Sequence, residues 1–281
     1  MCIDDCPDDI ASRRSFLAGA TATVASLAFL NVADTASAQT QNAPTRVLDA
    51  PSIQHGPVVF KHNGVDTIDG YLARPKANGV YPAVLVIAGN RIIEEYIPNT
   101  CAALAVAGFV GLAPNIFHIL PDSARTIAEM RAAGANHTDL DVLEDVDVAA
   151  DYLRQQSFVK SETLGVLGFC YGGRMAMLYG NRSRQIDAVV PFHPGVTKAS
   201  EVTRLKVPVQ LHHGTGDKSV DVSETERLFK ELKSQRTPVE LFTYEGAGHG
   251  FLAYTRPTYN AEAGKLAWQR AVQFLQKNLT G

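Results

Sequence analysis

Three residues have the types and the chain order needed for nucleophilic catalysis: Cys170, Asp217 and His249. Cys170 stands in GFCYGG, with one glycine two residues before the thiol and another two residues after it. Asp217 ends the turn GTGD, and His249 lies in GAGHGF. The order nucleophile, acid, histidine, with each residue following a strand pattern, is typical of enzymes that form a covalent acyl intermediate.

Each of these residues has a defined task in such chemistry. A thiol is a weak nucleophile until it loses its proton, and His249 can take that proton and later return it to the leaving group. Asp217 would hold the imidazole in one tautomer and stabilise its charged form. The developing oxyanion needs two N–H donors, for which we predict the backbone amides of Tyr171, at the start of a helix, and Asn90, after an earlier strand.

Each signal has a simpler explanation when it is taken alone. The pattern G-x-C-x-G also fits a buried structural cysteine beside glycines that let a helix pack closely. An aspartate in a turn is usually a cap or a turn former, and single histidines are common. All three residues at strand ends, in this order, favour a triad over coincidence.

The segments between these residues alternate between strand and helix patterns. PVVFKHNGVDTIDGYLARP (57–75) predicts a hairpin around Asn63-Gly64, and the apolar runs AVLVIAG (83–89) and TLGVLGF (163–169) predict strands buried on both faces. The remaining predicted strands are FVGLAP, AVVPFH, VPVQLHHG and VELFTYEG, and the predicted helices lie at about 97–107, within 123–156 (two), and at about 171–182, 222–235 and 261–279. This pattern predicts a single α/β domain with a doubly wound, mostly parallel sheet and an N-terminal antiparallel hairpin. Ligands bind beyond the carboxyl ends of the strands in such sheets, where the three residues lie.

The composition indicates one globular domain. The chain has 281 residues, of which 46% are hydrophobic and 20% charged, and its formal net charge is −3. No run of Lys or Arg indicates a nucleic-acid surface, and no stretch of about 20 apolar residues lies outside the N-terminus. We therefore expect no nucleic-acid partner, no membrane span in the mature chain, and a monomer or small homo-oligomer.

Residues 1–38 are predicted to be an export signal. The pair Arg13-Arg14 lies in SRRSFL, an Ala-rich apolar stretch follows, and ASA (36–38) offers a small-residue cleavage site, which is the order of a twin-arginine signal. The alternative is a leader whose arginine pair is accidental. We expect export by the twin-arginine machinery to the periplasm or beyond, a mature chain beginning near Gln39, a polar tether over 39–56 and the folded domain over 57–281.

The cysteines are consistent with one reactive thiol. Cys2 and Cys6 lie in the predicted signal, so Cys101 and Cys170 remain in the mature chain. One disulfide between them is conceivable in an exported domain. Because Cys101 lies in the apolar helical pattern TCAALAVAGF, we predict instead that it is a buried core residue.

Other residues near strand ends are candidates for a substrate pocket. We predict that Phe117, Phe192, His193 and Arg91 contribute to it, although packing explains the aromatic residues equally well. Alternation along VPVQLHHG allows at most one of its two histidines to face the site. His118, His193 and His249 could be imagined as metal ligands, but their spacing matches no known ligand pattern, so we expect no metal.

Taken together, these motifs resemble those of the dienelactone hydrolase family. The resemblance rests on GFCYGG, HHGTGD, GAGHGF and LAVAGFVGLAPNIF, and it extends over roughly 57–279. It implies an α/β-hydrolase fold, no cofactor, and hydrolysis of a small-molecule ester or lactone through a thioester to Cys170. A cysteine in this turn is unusual among α/β-hydrolases, which makes the resemblance specific.

The chain also departs from that family. Its best-known members carry a glutamate after the strand at 83–89 that helps to activate the thiol, and the matching position here is Gly89; Glu94 and Glu95 follow five and six residues later. Two arginines bind the substrate carboxylate in those members, and the matching positions are near Ile119 and Ala253. Arg91 and Arg256 are neighbours in sequence without being matches. The resemblance therefore carries over the triad but not the carboxylate clamp or the glutamate switch.

Three alternatives remain open on the sequence. The protein could be a carboxylesterase of neutral substrates, or a low-turnover binding protein on a hydrolase scaffold. A thiol redox protein would need a resolving cysteine, and the chain has no C-x-x-C pattern. The natural substrate and the pathway do not follow from the sequence.

Overall fold

One sheet of eight strands forms the centre of the described structure. The computed structural model describes residues 45–62, 66–89, 94–120 and 137–280. The strands are β1 (Ile53–His62), β2 (Asp66–Pro75), β3 (Tyr81–Ile87), β4 (Val110–Pro114), β5 (Val159–Phe169), β6 (Ala188–Phe192), β7 (Val209–Gly214) and β8 (Val239–Tyr244). Their spatial order is β1-β2-β4-β3-β5-β6-β7-β8. The first two strands form an antiparallel hairpin, β2 pairs antiparallel with β4, and β3 to β8 pair in parallel.

Helices cover both faces of this sheet. They are α1 (Tyr96–Val106), α2 (Asp139–Arg154), α3 (Tyr171–Arg182), α4 (Val222–Ser234) and α5 (Ala261–Leu279), with a short 3₁₀ turn at Ala199–Glu201. Side chains alternate along β5, so Leu167 packs in the core beside α1 and α5 and Val166 packs in the core beside α2, α3 and α4. Burial on both faces explains why this strand reads as an uninterrupted apolar run. The predicted doubly wound sheet with an N-terminal hairpin is confirmed.

The predicted tether is wrong for the part of it that the structure describes. Strand β1 begins at Ile53, which is only 7% exposed, rather than at Pro57. The chain before it is held by Asn99 of α1, whose side chain accepts a hydrogen bond from the Val47 amide at 2.6 Å and donates one to the Thr45 carbonyl at 3.1 Å. The polar residues of 53–57 hid the strand because β1 is an edge strand with one exposed face.

The other element predictions hold with small shifts of boundary. Strand β5 starts four residues earlier than predicted, and α5 has the predicted bounds. Cys101 is fully buried on α1, as expected, and both Cys101 and Cys170 are free thiols. The export signal and the first of the two helical patterns within 123–156 lie outside the described residues. None of the described helices is long and apolar enough to cross a bilayer.

Candidate active site

Cys170 lies in a strained turn between β5 and α3. Its φ of 53° is in the left-handed region, which costs a residue with a side chain about 1–3 kcal/mol. Backbone hydrogen bonds hold the turn, because the Cys170 amide donates to the Phe192 carbonyl at 3.0 Å and the Cys170 carbonyl accepts from the amides of Arg174 and Gly195 at 3.1 and 2.9 Å. This turn presents a partly exposed thiol at the amino end of a helix.

The two glycines that flank this thiol permit backbone contacts closer than any side chain allows. A Cβ added to Gly168 would lie 2.1 Å from the Gly172 carbonyl oxygen, and a Cβ added to Gly172 would lie 2.1 Å from the Ile87 carbonyl oxygen. The strand, the turn and the helix could not approach in this way with alanine at either position. The glycines in GFCYGG are therefore required by the close approach of the backbone segments around Cys170.

Asp217 and His249 meet at the same edge of the sheet. His249 Nδ1 donates to Asp217 Oδ2 at 2.8 Å, and Asp217 Oδ1 accepts from the amides of Ser219 and Val220 at 2.8 and 3.0 Å. Burial opposes the charge on Asp217, but hydrogen bonds from His213 and His249 outweigh it and hold the pKa of this carboxyl well below its usual range. The carboxylate is therefore ionised and oriented toward His249.

The position of His249 favours its protonated form. Burial of the ring acts against a charge, but hydrogen bonds with Asp217 and Cys170, together with their negative charges, raise the pKa of His249 to about 10. The imidazole thus bridges the carboxylate and the thiol. The structure brings together the three residues that the sequence singled out, with His249 hydrogen-bonded to both Asp217 and Cys170.

His212 and His213 lie on opposite faces of β7, as the alternation of side chains along a strand requires. His213 Nε2 lies 3.4 Å from Asp217 Oδ2, whereas His212 points to the other face, where it bonds to Tyr244 and Gln210. His213 is a site residue beyond those predicted from the sequence, although its place four residues before Asp217 is a usable signal. His118 pairs with Asp145 of α2, with Nε2 3.2 Å from Oδ2.

The predicted pocket residues lie in different environments. Phe192 is wrong as a pocket residue: it is fully buried, and its ring stacks between Phe169 and His212 at 5.3 and 4.6 Å. Phe117 is half-buried beside Tyr171, with ring centroids 6.3 Å apart. His193 packs against His249 with ring centroids 4.3 Å apart. Asn90 and Arg91 lie outside the described residues.

A charged cluster beside Tyr171 was missed by the sequence analysis. Asp139 of α2 accepts hydrogen bonds from the Tyr171 hydroxyl at 3.1 Å and from Arg174 Nη1 at 2.7 Å, and Arg174 Nη2 donates to Glu201 at 2.8 Å. These bonds tie the first turn of α3 to α2 and to the 3₁₀ turn. No local pattern reveals this cluster, because Asp139 and Arg174 are 35 residues apart in the chain.

Comparison with known proteins agrees with this geometry. A model of the dienelactone hydrolase family matches residues 68–279. The chain belongs to the dienelactone hydrolase family. A Bradyrhizobium protein named "Probable 2-oxo-3-(5-oxofuran-2-ylidene)propanoate lactonase" is 33% identical over 223 residues, which cover 75% of this chain and 90% of the relative. An Escherichia coli K12 protein named as a carboxymethylenebutenolidase is 27% identical over 226 residues, covering 75% of this chain and 83% of its own length.

A solved structure shows the same fold. The crystal structure from Klebsiella pneumoniae named as a dienelactone hydrolase superposes with a TM-score of 0.75 at 26% identity, covering 80% of this chain and 99% of that chain. The protein is thus an α/β-hydrolase of the dienelactone hydrolase family and a carboxylic ester hydrolase that acts on esters or lactones.

Gly89 is the position that the sequence resemblance matches to a family glutamate. A Cβ added there would lie 2.7 Å from the Phe169 carbonyl oxygen and 2.9 Å from Cys170 Cβ. Both distances are shorter than van der Waals contact, so this backbone has no room for a side chain beside the thiol. A glutamate at position 89 would therefore clash with the backbone around Cys170.

The two nearby glutamates form other contacts. Glu94 accepts two hydrogen bonds from Arg256, which also lies over the ring of Tyr96 with its Cζ 5.4 Å from the ring centroid. Glu95 pairs with Arg46 and accepts a hydrogen bond from the Tyr254 hydroxyl. Of the positions matched to the family arginines, Ile119 is exposed and Ala253 is buried. Arg256 is charged and lies close enough to Cys170 to interact with it: burial opposes the charge, but the hydrogen bond to Glu94 and the electrostatic interactions with Tyr96, Glu94 and Cys170 raise the pKa of Arg256.

Proposed function

We propose that the protein hydrolyses a carboxylic ester or lactone through a thioester to Cys170. The observation that carries this proposal is the hydrogen-bonded series from Asp217 through His249 to the thiol. Cys170 Sγ attacks the carbonyl carbon while the oxyanion takes up hydrogen bonds, and the C–O bond then breaks as His249 gives its proton to the leaving oxygen. Water next attacks the thioester, His249 accepts a proton from that water, and the thiolate is released.

The oxyanion is stabilised in this proposal by backbone amides. Tyr171 is the first residue of α3, so its N–H is among those that an α-helix leaves without an intrahelical partner, and it follows the nucleophile directly. Asn90 is the proposed second donor, after the end of β3. Asp139 holds the Tyr171 hydroxyl at 3.1 Å and thereby restricts the first turn of α3.

The substrate class proposed here is a neutral ester or lactone. The names of the relatives indicate lactones, and carboxymethylenebutenolidase denotes a substrate with a carboxylate. Carboxylate binding is not favoured in this chain, because Ile119 and Ala253 occupy the matched arginine positions and Arg256 is engaged by Glu94.

The proposal is tested by trapping the acyl enzyme. Mixing the protein with p-nitrophenyl acetate should release p-nitrophenol and leave an acetyl group on the Cys170 peptide, detected by mass spectrometry. Cys170→Ala should abolish both signals, and Cys101→Ser should retain them because Cys101 is buried on α1. Acetylation of Cys101 with Cys170 unmodified would remove the proposed nucleophile, and binding of esters without release would favour a binding protein.

We also propose that the chain is exported through a twin-arginine signal. The support is the order of Arg13-Arg14, an Ala-rich apolar stretch and a small-residue cleavage site in the sequence. Replacement of both arginines by lysine should retain the protein in the cytoplasm, as fractionation of cells would show. Unchanged export of that variant would contradict this route.

A further inference from the structure

His193 adopts a backbone conformation that residues with side chains rarely take. It follows directly after β6 with a φ of 35°, and its amide donates to the His212 carbonyl at 2.7 Å. The same turn continues to Gly195, whose amide bonds to the Cys170 carbonyl at 2.9 Å. A strained residue persists where the surrounding structure fixes it, and such positions cluster at functional sites.

The imidazole of His193 is buried without hydrogen-bond partners. The residue is 3% exposed, and among the described residues neither Nδ1 nor Nε2 has a partner. Buried polar side chains are nearly always paired, because an unpaired group loses its hydration without compensation. His212 and His213 show the usual situation, since both nitrogens of each ring are bonded.

These two unpaired nitrogens lie beside the reacting groups. The His193 and His249 ring centroids are 4.3 Å apart with the planes tilted by 53°, and the rings of Phe169 and Phe251 lie 6.2 and 6.3 Å away. The backbone of residues 192–195 is hydrogen-bonded to that of Cys170 at two points. A group attached to Cys170 would therefore remain next to this segment throughout the acyl-enzyme stage.

The charge state of His193 sets the kind of ligand it can take. Burial, reinforced by the positive charge of His249, holds the pKa of His193 well below its usual range. The ring is therefore neutral at physiological pH and offers one N–H donor and one nitrogen acceptor. A neutral N–H donor can bind an ether, keto or hydroxyl oxygen of the substrate, so the substrate does not need a carboxylate to make this contact.

We propose that His193 determines specificity by hydrogen-bonding a polar atom in the acyl group of the substrate, close to the carbonyl that Cys170 attacks. The preferred substrates are then esters or lactones whose acyl part carries an oxygen next to the scissile carbonyl, rather than plain hydrocarbon acyl groups. This inference rests on the proposed thioester chemistry at Cys170. It assigns the contact to the acyl part because that part stays on Cys170, whereas the leaving group departs with the proton from His249.

Two substrates of nearly equal shape test the contact. The acyl groups of p-nitrophenyl methoxyacetate and p-nitrophenyl butyrate differ by one oxygen in place of a CH₂ group. Their kcat/KM ratio is divided by the ratio of their hydroxide-catalysed rates, which corrects for the greater intrinsic reactivity of the methoxyacetate. The corrected ratio should exceed one for the wild-type protein and fall about tenfold in His193→Phe, as expected for the loss of one neutral hydrogen bond.

Variants that keep a polar group identify the nitrogen involved. His193→Asn places an amide near the position of Nδ1 and His193→Gln near that of Nε2, so the variant that restores part of the preference marks the donor. His193→Phe and the control His118→Phe both replace a largely buried histidine, but His118 pairs with Asp145 and its variant should keep the wild-type ratio. Each ratio is measured on a single preparation, so loss of folded protein cancels.

The outcomes separate this inference from the proposed chemistry. A corrected wild-type ratio of one, or an equal loss of both activities in His193→Phe, would show that the ring only supports the fold or His249, and would overturn the inference. A preference for oxygen confined to the leaving group would also overturn it. Hydrolysis that survives Cys170→Ala would instead refute the thioester mechanism, whatever the ratio at His193.

Discussion

Arg256 donates two parallel hydrogen bonds to Glu94, from Nε at 3.0 Å and from Nη2 at 2.8 Å. Both side chains are about two-thirds buried, with exposed fractions of 28% and 32%. Two parallel N–H donors of the guanidinium are therefore already bound to a carboxylate of the protein itself. A substrate carboxylate would have to displace Glu94 before it could bind in the same way.

The first prediction concerns this competition. In the wild-type protein, neutral lactones should react at least as well as carboxylate-bearing ones. Glu94→Gln leaves Arg256 without its charged partner, so the KM for a carboxylate-bearing lactone should fall about tenfold or more, since a hydrogen bond to a charged group contributes about 1.5–3 kcal/mol. The KM for a neutral lactone should change little.

Glu95→Gln is the matched control for that prediction. Glu95 is adjacent in sequence but bonds to Arg46 and Tyr254 rather than to Arg256. Its replacement should leave the charge preference of the enzyme unchanged. A wild-type protein that already prefers the carboxylate strongly, with a dependence on salt, would show that another cation binds it.

The second prediction concerns Gly89, the position that the sequence resemblance matches to a family glutamate. Gly89→Glu should lower activity and stability rather than add a switch, because its Cβ would lie 2.9 Å from Cys170 Cβ and 2.7 Å from the Phe169 carbonyl oxygen. Gly89→Ala should have an effect of the same sign, since the clash begins at Cβ. Thermal unfolding and p-nitrophenyl acetate hydrolysis measure the two effects, and a gain in activity from glutamate would contradict this account.

The third prediction concerns the resting thiol. Since the pKa of His249 is raised to about 10, its positive charge is present below that pH and is available to stabilise negative charge on Cys170. Iodoacetamide should therefore alkylate Cys170 rapidly at about pH 7 without substrate, while the buried Cys101 serves as the unreactive internal control. Slow alkylation that accelerates with a substrate analogue would defeat this prediction.

The fourth prediction concerns the effect of Asp217 on the charge of His249. Asp217→Asn removes the carboxylate that favours protonated His249, while burial of the ring continues to oppose it, so the pKa of His249 should fall. Alkylation of Cys170 at about pH 7 should slow by about tenfold or more. Asp221→Asn is the control, because that exposed residue caps α4. Equal rates in wild-type protein and Asp217→Asn would show that Asp217 does not act through the charge of His249.

The fifth prediction concerns the tight turn. Gly172→Ala should reduce the free energy of unfolding by about 3 kcal/mol or more, because its Cβ would lie 2.1 Å from the Ile87 carbonyl oxygen. Gly56→Ala in β1, where nothing lies within 4 Å of the added atom, should change it by about 0.5 kcal/mol at most. Urea unfolding of the two variants gives the comparison, and similar values would mean that the turn relaxes freely.

The triad and the sheet were accessible from the sequence because their signals are local. Buried parallel strands such as β5 read as apolar runs, and Cys170, Asp217 and His249 lie in the turns that follow β5, β7 and β8, so the strand ends bring them together. Phe192 was misassigned because the sequence shows alternation without showing what lies above each face. Its side chain packs on the same face of β6 as Val190, in the core beside α1 and α5.

The charged contacts around the site were not accessible. Glu94 and Arg256 are 162 residues apart, and their pairing depends on how two loops approach after the sheet has formed. The unpaired state of His193 is likewise a property of the packed site, since FHPG only indicates a turn. Sequence patterns therefore located the proposed catalytic residues, whereas the charged groups and the unpaired histidine around them depend on tertiary contacts.

The attachment of residues 45–52 to Asn99 has a practical consequence for recombinant work. The family match begins at residue 68, which suggests that a shortened gene could start there. Such a truncation would remove β1, a ten-residue strand hydrogen-bonded along its length to β2. It would also remove Arg46, whose partner Glu95 holds Tyr254 in the segment after His249. A start site at or before Thr45 keeps both features, and it is the boundary to use for producing stable material.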